Sequence, residues 1–275
     1  MTPQKKPLLQ TVILGMFLFL SLSCGQNTYV DMAIKDSEDA VFEDALKLIN
    51  RQEYAAAISK IQSLPTSYQA NTEVREALAG AYAGHCGMHF IQLVTQLGET
   101  SSRTVFSQLM NVYRTNSSPP LASCLQAESL MKSFGNASVR TADQNFFMLI
   151  YGFAKIGLYL RSLADTDQDG TKDAGLNICD SNSLSDNNVK ELFTGMGLIL
   201  ENFAGVTSQI ANANAGTGIT SISTLCTTLG TSCAITETTS VDGTMVGAMR
   251  DILNSDSIGI GSCNLTGVAM AGCCP

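Results

Sequence analysis

Apolar residues recur at helical spacing from residue 37 onward, and they predict a pair of helices over residues 37–65. Ser37 and the two acidic residues after it are typical of a helix start, because the hydroxyl caps free N–H groups and the carboxylates face the positive end of the helix dipole. Pro65 ends the second helix. The apolar positions of the two helices are Val41, Ala45, Leu48 and Ile49, followed by Tyr54, Ala57, Ile58, Ile61 and Leu64.

The same spacing predicts more helices and an all-α fold. We expect helices at 103–114, 120–134, 139–164, 185–213, 217–229 and 240–254. The segment 139–164 is apolar on more than one face, which predicts that it forms the centre of the fold. No long linker interrupts residues 36–275, so we expect one helical domain, either a solenoid or a compact bundle. It has three parts, a repeat-like half at 36–164, a loop at 165–184 and a C-terminal part at 185–275.

The first predicted hairpin resembles a tetratricopeptide-like repeat. Ala45 and Leu48 stand at the family's small and aromatic positions, and residues 54–58 match its "Y-x-x-A-I" opening of the second helix. A partial second copy in "VREALAGAYAGHCGMHF" places Leu78, Ala79 and Tyr82 at the first helix's spacing. The resemblance implies an array of helical hairpins with a concave face that binds a partner.

Residues 79–84 and Phe90 are also similar to the T component of tripartite periplasmic transporters. Those proteins are lipid-anchored, tetratricopeptide-like and helical, and they associate with a solute-binding subunit. This resemblance implies an envelope protein with a possible solute-binding partner.

The N-terminus has the order of an export signal, with Lys5 and Lys6, an apolar run over 8–22, and small residues before Cys24. The apolar run is about 15 residues long, short of the roughly 20 that a spanning helix needs. Ser23 before Cys24 resembles the lipobox of bacterial lipoproteins. It implies a signal peptide at 1–23, acylation of Cys24 by palmitate-like chains, and a tether at 24–35; by the same resemblance, Gly25 favours the outer membrane.

The charge balance excludes some partners. The 275-residue chain carries 16 basic and 24 acidic residues, and its net charge of −8 becomes −10 when Lys5 and Lys6 leave with the signal. Nucleic acids and anionic lipid surfaces are therefore poor partners, whereas cations and basic protein surfaces are better ones.

Eight cysteines besides Cys24 predict four disulfides in an oxidising compartment, although the sequence does not choose among the pairings. No CxxC pair supports a cysteine metal site. A Cys86–Cys124 bond is natural because no other cysteine of the domain precedes residue 165, and Cys273 and Cys274 are expected to take separate partners that pin the tail. The eight are Cys86, Cys124, Cys179, Cys226, Cys233, Cys263, Cys273 and Cys274.

The stretch "DTDQDGTKD" at 165–173 has the ligand spacing of a helix–loop–helix calcium site, with oxygen-bearing residues at positions 1, 3, 5, 7 and 9 and glycine at 6. Position 12 is Leu176, where the pattern needs a glutamate, so water, a carbonyl, Asp180 or Asp186 would close the site. We predict a weak structural calcium site, and the alternative is a solvated acidic turn. The predicted ligands are Asp165, Asp167, Asp169, Thr171 and Asp173.

Both histidines of the chain, His85 and His89, are four residues apart and could form a zinc or copper pair on one helix face. Gly84 and Gly87 favour a helix end in the same segment, which would separate the two rings. The alternative is therefore that both histidines are structural.

No catalytic motif is present, since the chain has no GxSxG, GxxxxGK[ST], HExxH or GxGxxG. We therefore expect a non-enzymatic protein that binds or scaffolds another protein of the bacterial envelope. An auxiliary component of a periplasmic solute transport system is the second hypothesis. An enzyme using distant carboxylates or a histidine-bound metal is the third.

Overall fold

The computed structural model describes residues 37–98, 104–115, 119–206, 232–255, 258, 260–261, 263 and 273–274. Within these ranges the chain forms ten α-helices, one short 3-10 helix and no strand, apart from a single bridge between Ser255 and Cys263. The all-α prediction is confirmed. The helices are α1 (Glu38–Asn50), α2 (Tyr54–Gln62), α3 (Thr66–Gln69), α4 (Thr72–His85), α5 (Phe90–Gly98), α6 (Val105–Val112), α7 (Leu121–Lys132), α8 (Ala142–Leu163), α9 (Asp186–Val206) and α10 (Gly243–Leu253).

Several predictions concern residues outside these ranges. They are the signal peptide and tether over 1–35, the lipidated Cys24, the end of the helix predicted at 185–213, the helix predicted at 217–229, and Cys226. These stay predictions.

Side-chain caps explain where several helices begin. The hydroxyl of Ser37 accepts a hydrogen bond from the N–H of Ala40 at 3.2 Å, as its position in the sequence predicted. Thr141 and Gln144 form a reciprocal capping box at the start of α8, where each side chain binds the other residue's backbone N–H. The sequence therefore determines the first turn of these helices locally.

The centre of the fold is the pair formed by α8 and α9, which have the most extensive contact of any two helices described. Gly152 and Gly195 lie at this contact, and a Cβ at Gly152 would come within 2.7 Å of the Gly195 carbonyl oxygen. Among the described helices only α8 is long and apolar enough to cross a membrane, yet 72% of its most apolar window is buried inside the protein. Its apolar side chains form the core.

Two apolar clusters fill the interior. The smaller one joins α1, α2 and α4 around Phe42, Ala57 and Ile61, and the larger one surrounds α8 and α9. The partly buried side chains of Tyr82 and Leu130 pack against both clusters. Because α4 packs chiefly against α2 and α7, the N-terminal hairpin is joined to the core through α4.

Three disulfides lie within the described residues: Cys86–Cys124, Cys179–Cys274 and Cys263–Cys273. Cys233 is also disulfide-bonded. The predicted Cys86–Cys124 pair is confirmed, as is the prediction that Cys273 and Cys274 have separate partners. The second and third bonds fasten the end of the chain to the segment before α9 and to the residues after α10.

Candidate functional site: an aspartate loop at the end of the central helix

The aspartate loop, residues 165–173, begins directly after α8. The backbone N–H of Asp173 donates to the carbonyl of Ala164 at 2.7 Å, which brings the end of the loop back to its start. Gly170 has φ +87°, a conformation that glycine adopts without strain, and the turn at this residue is sharp. The glycine at position 6 of the predicted calcium pattern therefore has the backbone role that the pattern requires.

Three carboxylates meet in this loop. Asp165, Asp167 and Asp173 each offer one oxygen, and these oxygens all lie within 4.8 Å of one another. Oxygens on opposite sides of one calcium ion are about 4.6–5.2 Å apart, because each calcium–oxygen bond is about 2.3–2.6 Å long. The three groups are thus spaced to share one ion.

Asp165 is fully buried, and its two oxygens differ. Oδ1 accepts a hydrogen bond from the N–H of Gly170 at 3.2 Å, whereas Oδ2 is buried with no hydrogen-bond partner. Burial raises the pKa of this carboxyl above its ordinary value, although Gly170 and the nearby Arg161 act in the opposite direction. A buried carboxylate oxygen without a partner is costly, and either a hydrogen-bond donor or a cation would satisfy it.

The other carboxylates of the loop accept hydrogen bonds within it. Asp167 accepts from the N–H of Asp169 at 3.3 Å, and Asp173 accepts from the N–H and the hydroxyl of Thr166 at 3.1 and 2.6 Å. The carboxylate of Asp169 accepts hydrogen bonds from the backbone N–H and the hydroxyl of Thr171, both at 2.7 Å. Leu176, at the position of the missing glutamate, is buried and packs against the core. Asp180 accepts from Asn182, and Asp186 pairs with Arg250. Asp169, Thr171, Asp180 and Asp186, and Asp165, Asp167 and Asp173 with them, stay predictions as calcium ligands.

The chain after the loop is tied to α10. The buried Arg250 donates to the carbonyls of Ile178 and Leu184 and forms an ion pair with Asp186 at 2.7 Å. The Cys179–Cys274 disulfide fastens the same segment to the end of the chain. The aspartate loop is thus the connection between the central helix and a cross-linked C-terminal part.

The two histidines do not share a helix face. His85 is the last residue of α4, and Gly87 follows with φ +99°, while the N–H groups of Gly87 and Met88 bind the carbonyls of Gly84 and Ala83. The helix therefore ends in this segment, as Gly84 and Gly87 predicted. A ring nitrogen of His85 lies 2.9 Å from the hydroxyl of Ser123. The sulfur of the neighbouring Cys86 is bonded to Cys124 in a disulfide.

A cleft of about 640 Å³, the α4–α5 cleft, lies beside His89. The turn between α1 and α2, the second half of α4 and the start of α5 form its walls, together with Phe147. Ile91 is 80% exposed and Phe90 is 36% exposed at its rim, so apolar groups face solvent here. The lining residues are Ile49, Gln52, Tyr54, Gly80, Ala83, Gly84, Met88, His89, Phe90, Ile91, Gln92 and Phe147.

Sequence reasoning missed a buried ion network. Lys155 lies in the apolar run of α8 and is 1% exposed, and it pairs with Glu128 and Glu191, each at 2.7 Å. A single charge among apolar residues signals that partners exist, because a buried ammonium needs them. The partners lie on α7 and α9, far along the chain, so periodicity could not identify them.

No protein-family model matches this chain, and no curated protein or solved structure is similar to it.

Proposed function

We propose that this chain is a calcium-binding protein of the bacterial cell envelope, anchored through a lipid on Cys24. The ion would bind Asp165, Asp167 and Asp173 and clip the end of α8 to the segment before α9. The observation that carries the proposal is the buried Oδ2 of Asp165, which has no hydrogen-bond partner and belongs to a group of three converging carboxylates. A hard cation supplies that missing partner.

Calcium suits this group better than other ions do. All three side chains offer oxygen, which hard cations prefer, and no soft sulfur or imidazole ligand joins the cluster. Magnesium demands near-ideal octahedral geometry and gives up its waters reluctantly, whereas calcium accepts irregular sets of six to eight oxygens. Water and backbone carbonyls would complete the shell. With no glutamate at residue 176, we expect a dissociation constant of about 10⁻⁴ to 10⁻³ M, the class of extracellular modules.

The disulfides support the proposed compartment. Bonds such as Cys86–Cys124 and Cys179–Cys274 persist where the surroundings are oxidising, as in the periplasm or at the cell surface. Weak calcium sites serve in such compartments because calcium is more abundant outside the cytoplasm. Export, acylation of Cys24 and attachment to the outer membrane complete the proposal.

Thermal unfolding with and without calcium tests this function. At calcium ten times the dissociation constant, mass action gives a stabilisation of about 1.4 kcal/mol, which raises Tm by about 3–6 °C in a domain of this size. Asp173→Asn should abolish the rise. Asp143→Asn is the matched control, because it removes one carboxylate at the other end of α8, about 30 Å away at 1.5 Å per residue. An equal rise in both variants, or none in the unaltered protein, would contradict the proposal.

A second function, binding of another envelope protein, is favoured by the α4–α5 cleft. The cleft is concave and has no Asp, Glu, Lys or Arg in its lining, and it is walled in part by the first helical hairpin, the element that resembles a tetratricopeptide-like repeat. A concave apolar cleft accepts side chains from a protein, whereas a flat bilayer surface would not enter it. The proposed occupant is an apolar segment of a partner, and a solute-binding subunit is the alternative partner.

Site-specific crosslinking in intact envelopes tests this second function. A photoreactive residue at position 91 should capture one defined protein, and Ile91→Asp should abolish co-purification of that protein. Val139 is the control position, because it is 69% exposed and apolar but is not among the residues that line the cleft. Equal capture from positions 91 and 139 would exclude the cleft as the binding surface.

A further inference from the structure

The buried ion network opens to the surface. Glu128 of α7 binds Lys155 through one oxygen and Lys132 through the other, both at 2.7 Å. Lys132 also pairs with Glu237 at 2.9 Å, and the side chain of Glu237 is 63% exposed. The network therefore runs from the protein interior to solvent.

A pocket of about 340 Å³, the glutamate pocket, lies over this network. Its walls come from α7, α9 and residues 236–238, the last of which begins the 3-10 helix (Thr238–Ser240). Its size lies at the lower end of the range for small-molecule sites, which is about 300–1,000 Å³. The residues that decide its chemistry are Leu125, Glu128, Lys132, Glu191 and Glu237.

All the N–H donors of the two ammonium groups already have hydrogen-bond acceptors within the protein. Lys155 donates to Glu128, Glu191 and the hydroxyl of Thr194. Lys132 donates to Glu128, Glu237 and the carbonyl of Thr236. An ammonium has three N–H donors, so neither lysine has a donor left for an anionic ligand.

Two carboxylate oxygens remain. Glu191 and Glu237 each bind a lysine through one oxygen, and the second oxygen of each has no lysine partner. Glu191 is 20% exposed and lines the pocket with Glu237. The charged groups thus offer only acceptors to a ligand, which selects a ligand rich in N–H donors.

The net charge of the network also favours a ligand with N–H donors. Three carboxylates face two lysines, which leaves one net negative charge at the base of the pocket. Burial, followed by Glu191 and Glu128, raises the pKa of the nearby Tyr159. The net negative charge of the network favours a cationic ligand.

A metal ion fits this pocket less well than an organic cation does. Among the described residues, only the aspartate loop brings three metal-ligating side chains together. Leu125 adds an apolar wall, and this residue is 37% exposed. An alkyl chain could lie against that wall while its charged end binds the glutamates.

We propose that the glutamate pocket binds a small organic cation, an aliphatic amine whose ammonium donates to the free oxygens of Glu191 and Glu237. The carbon chain lies along Leu125. This inference does not depend on the calcium site or on the α4–α5 cleft.

Calorimetric titration of the full mature protein with 1,5-diaminopentane tests the proposal. The titration is run in saturating calcium, so that the aspartate loop does not attract the amine. We expect saturable binding below about 1 mM, the range of weak specific ligands, and no binding of the neutral 1,5-pentanediol or the anionic glutarate. Glu237→Gln should weaken binding about tenfold, because it removes one charge-assisted hydrogen bond at an exposed residue.

The controls separate this site from general charge effects. Glu43→Gln removes one exposed carboxylate elsewhere and should leave amine binding unchanged. The proposal is overturned if the diol binds as well as the diamine, if Glu237→Gln binds like the unaltered protein, or if the diamine does not bind at 10-fold the expected dissociation constant.

Discussion

Asp165 and Asp173 lie eight positions apart in the sequence, yet an oxygen of each lies within 4.8 Å of the other and of Asp167. Asp165 is buried at the end of α8, and the hydrogen bond from Asp173 to the carbonyl of Ala164 holds the end of the loop beside it. Like charges this close repel one another, so the arrangement stores electrostatic energy that one divalent cation would release.

Asp165→Asn shows how much the charge of Asp165 changes the stability of the protein without calcium, and how much a bound ion adds to it. Without calcium, we expect the stability of the variant to differ from that of the unaltered protein by no more than about 1 kcal/mol, because the neutral amide relieves the cost of a buried charge but loses the attraction of Arg161 to that charge. The calcium-dependent stabilisation should disappear. Denaturant unfolding in chelator and in calcium measures both. A large loss of stability in chelator would show that the charge is already compensated within the protein.

The contact between α8 and α9 depends on the absence of a side chain at residue 152. Gly152→Ala places a Cβ 2.7 Å from the Gly195 carbonyl oxygen and 2.8 Å from Ile199, so we expect a loss of about 1–3 kcal/mol from overpacking. Gly80→Ala is the control, because no atom lies within 4 Å of its added Cβ and the residue is inside α4. That variant should be neutral or more stable by up to about 1 kcal/mol. Similar losses in both would place the effect outside the helix contact.

The buried pair of Glu128 and Lys155 should behave differently from a surface pair. Glu128→Gln leaves the buried Lys155 ammonium with Glu191 as its carboxylate partner, and we expect a cost of about 1–3 kcal/mol. Adding Lys155→Met should recover part of that loss, so the double variant is more stable than the sum of the singles predicts. Glu53→Gln breaks the exposed pair with Arg51 and should cost under about 1 kcal/mol. Additive losses at 128 and 155 would contradict the coupling.

The disulfides should be reduced in an order set by their burial. Cys86 and Cys124 are both fully buried, whereas Cys179 and Cys274 are partly exposed. Exchange requires a thiolate to reach a sulfur, so a mild reductant should open Cys179–Cys274 first and leave Cys86–Cys124 intact until the protein unfolds. Alkylation followed by peptide mass mapping gives the order. Simultaneous reduction of both bonds would show that access does not control it.

Most helices were predictable from local sequence because their signals are local. The cap at Ser37, the stop at Gly87 and the apolar period of residues 139–164 each act within one or two turns. The packing of α4 against α7 was predictable only in part. The predicted Cys86–Cys124 bond joins the end of α4 to α7, whereas the other contacts of α4 join residues that lie far apart in the sequence.

The aspartate loop was predictable in spacing but less so in detail. The alternation of Asp165, Asp167 and Asp173 with one glycine was enough to indicate an oxygen-lined turn. The sequence could not show that the carboxylate of Asp169 binds Thr171. The spacing is the same whether this carboxylate turns toward the other aspartates or toward Thr171. The glutamate pocket could not be predicted from the sequence, because Lys155 and Glu191 come into contact only when α8 and α9 pack together.

Direct titration of calcium into the chelator-treated protein tests the central claim. We expect one ion bound per chain with a dissociation constant of about 10⁻⁴ to 10⁻³ M. Asp165→Asn and Asp173→Asn should lose binding, whereas Asp143→Asn should retain it. A stoichiometry of zero, or equal binding in all three variants, would show that the three converging carboxylates form a solvated acidic turn rather than an ion site.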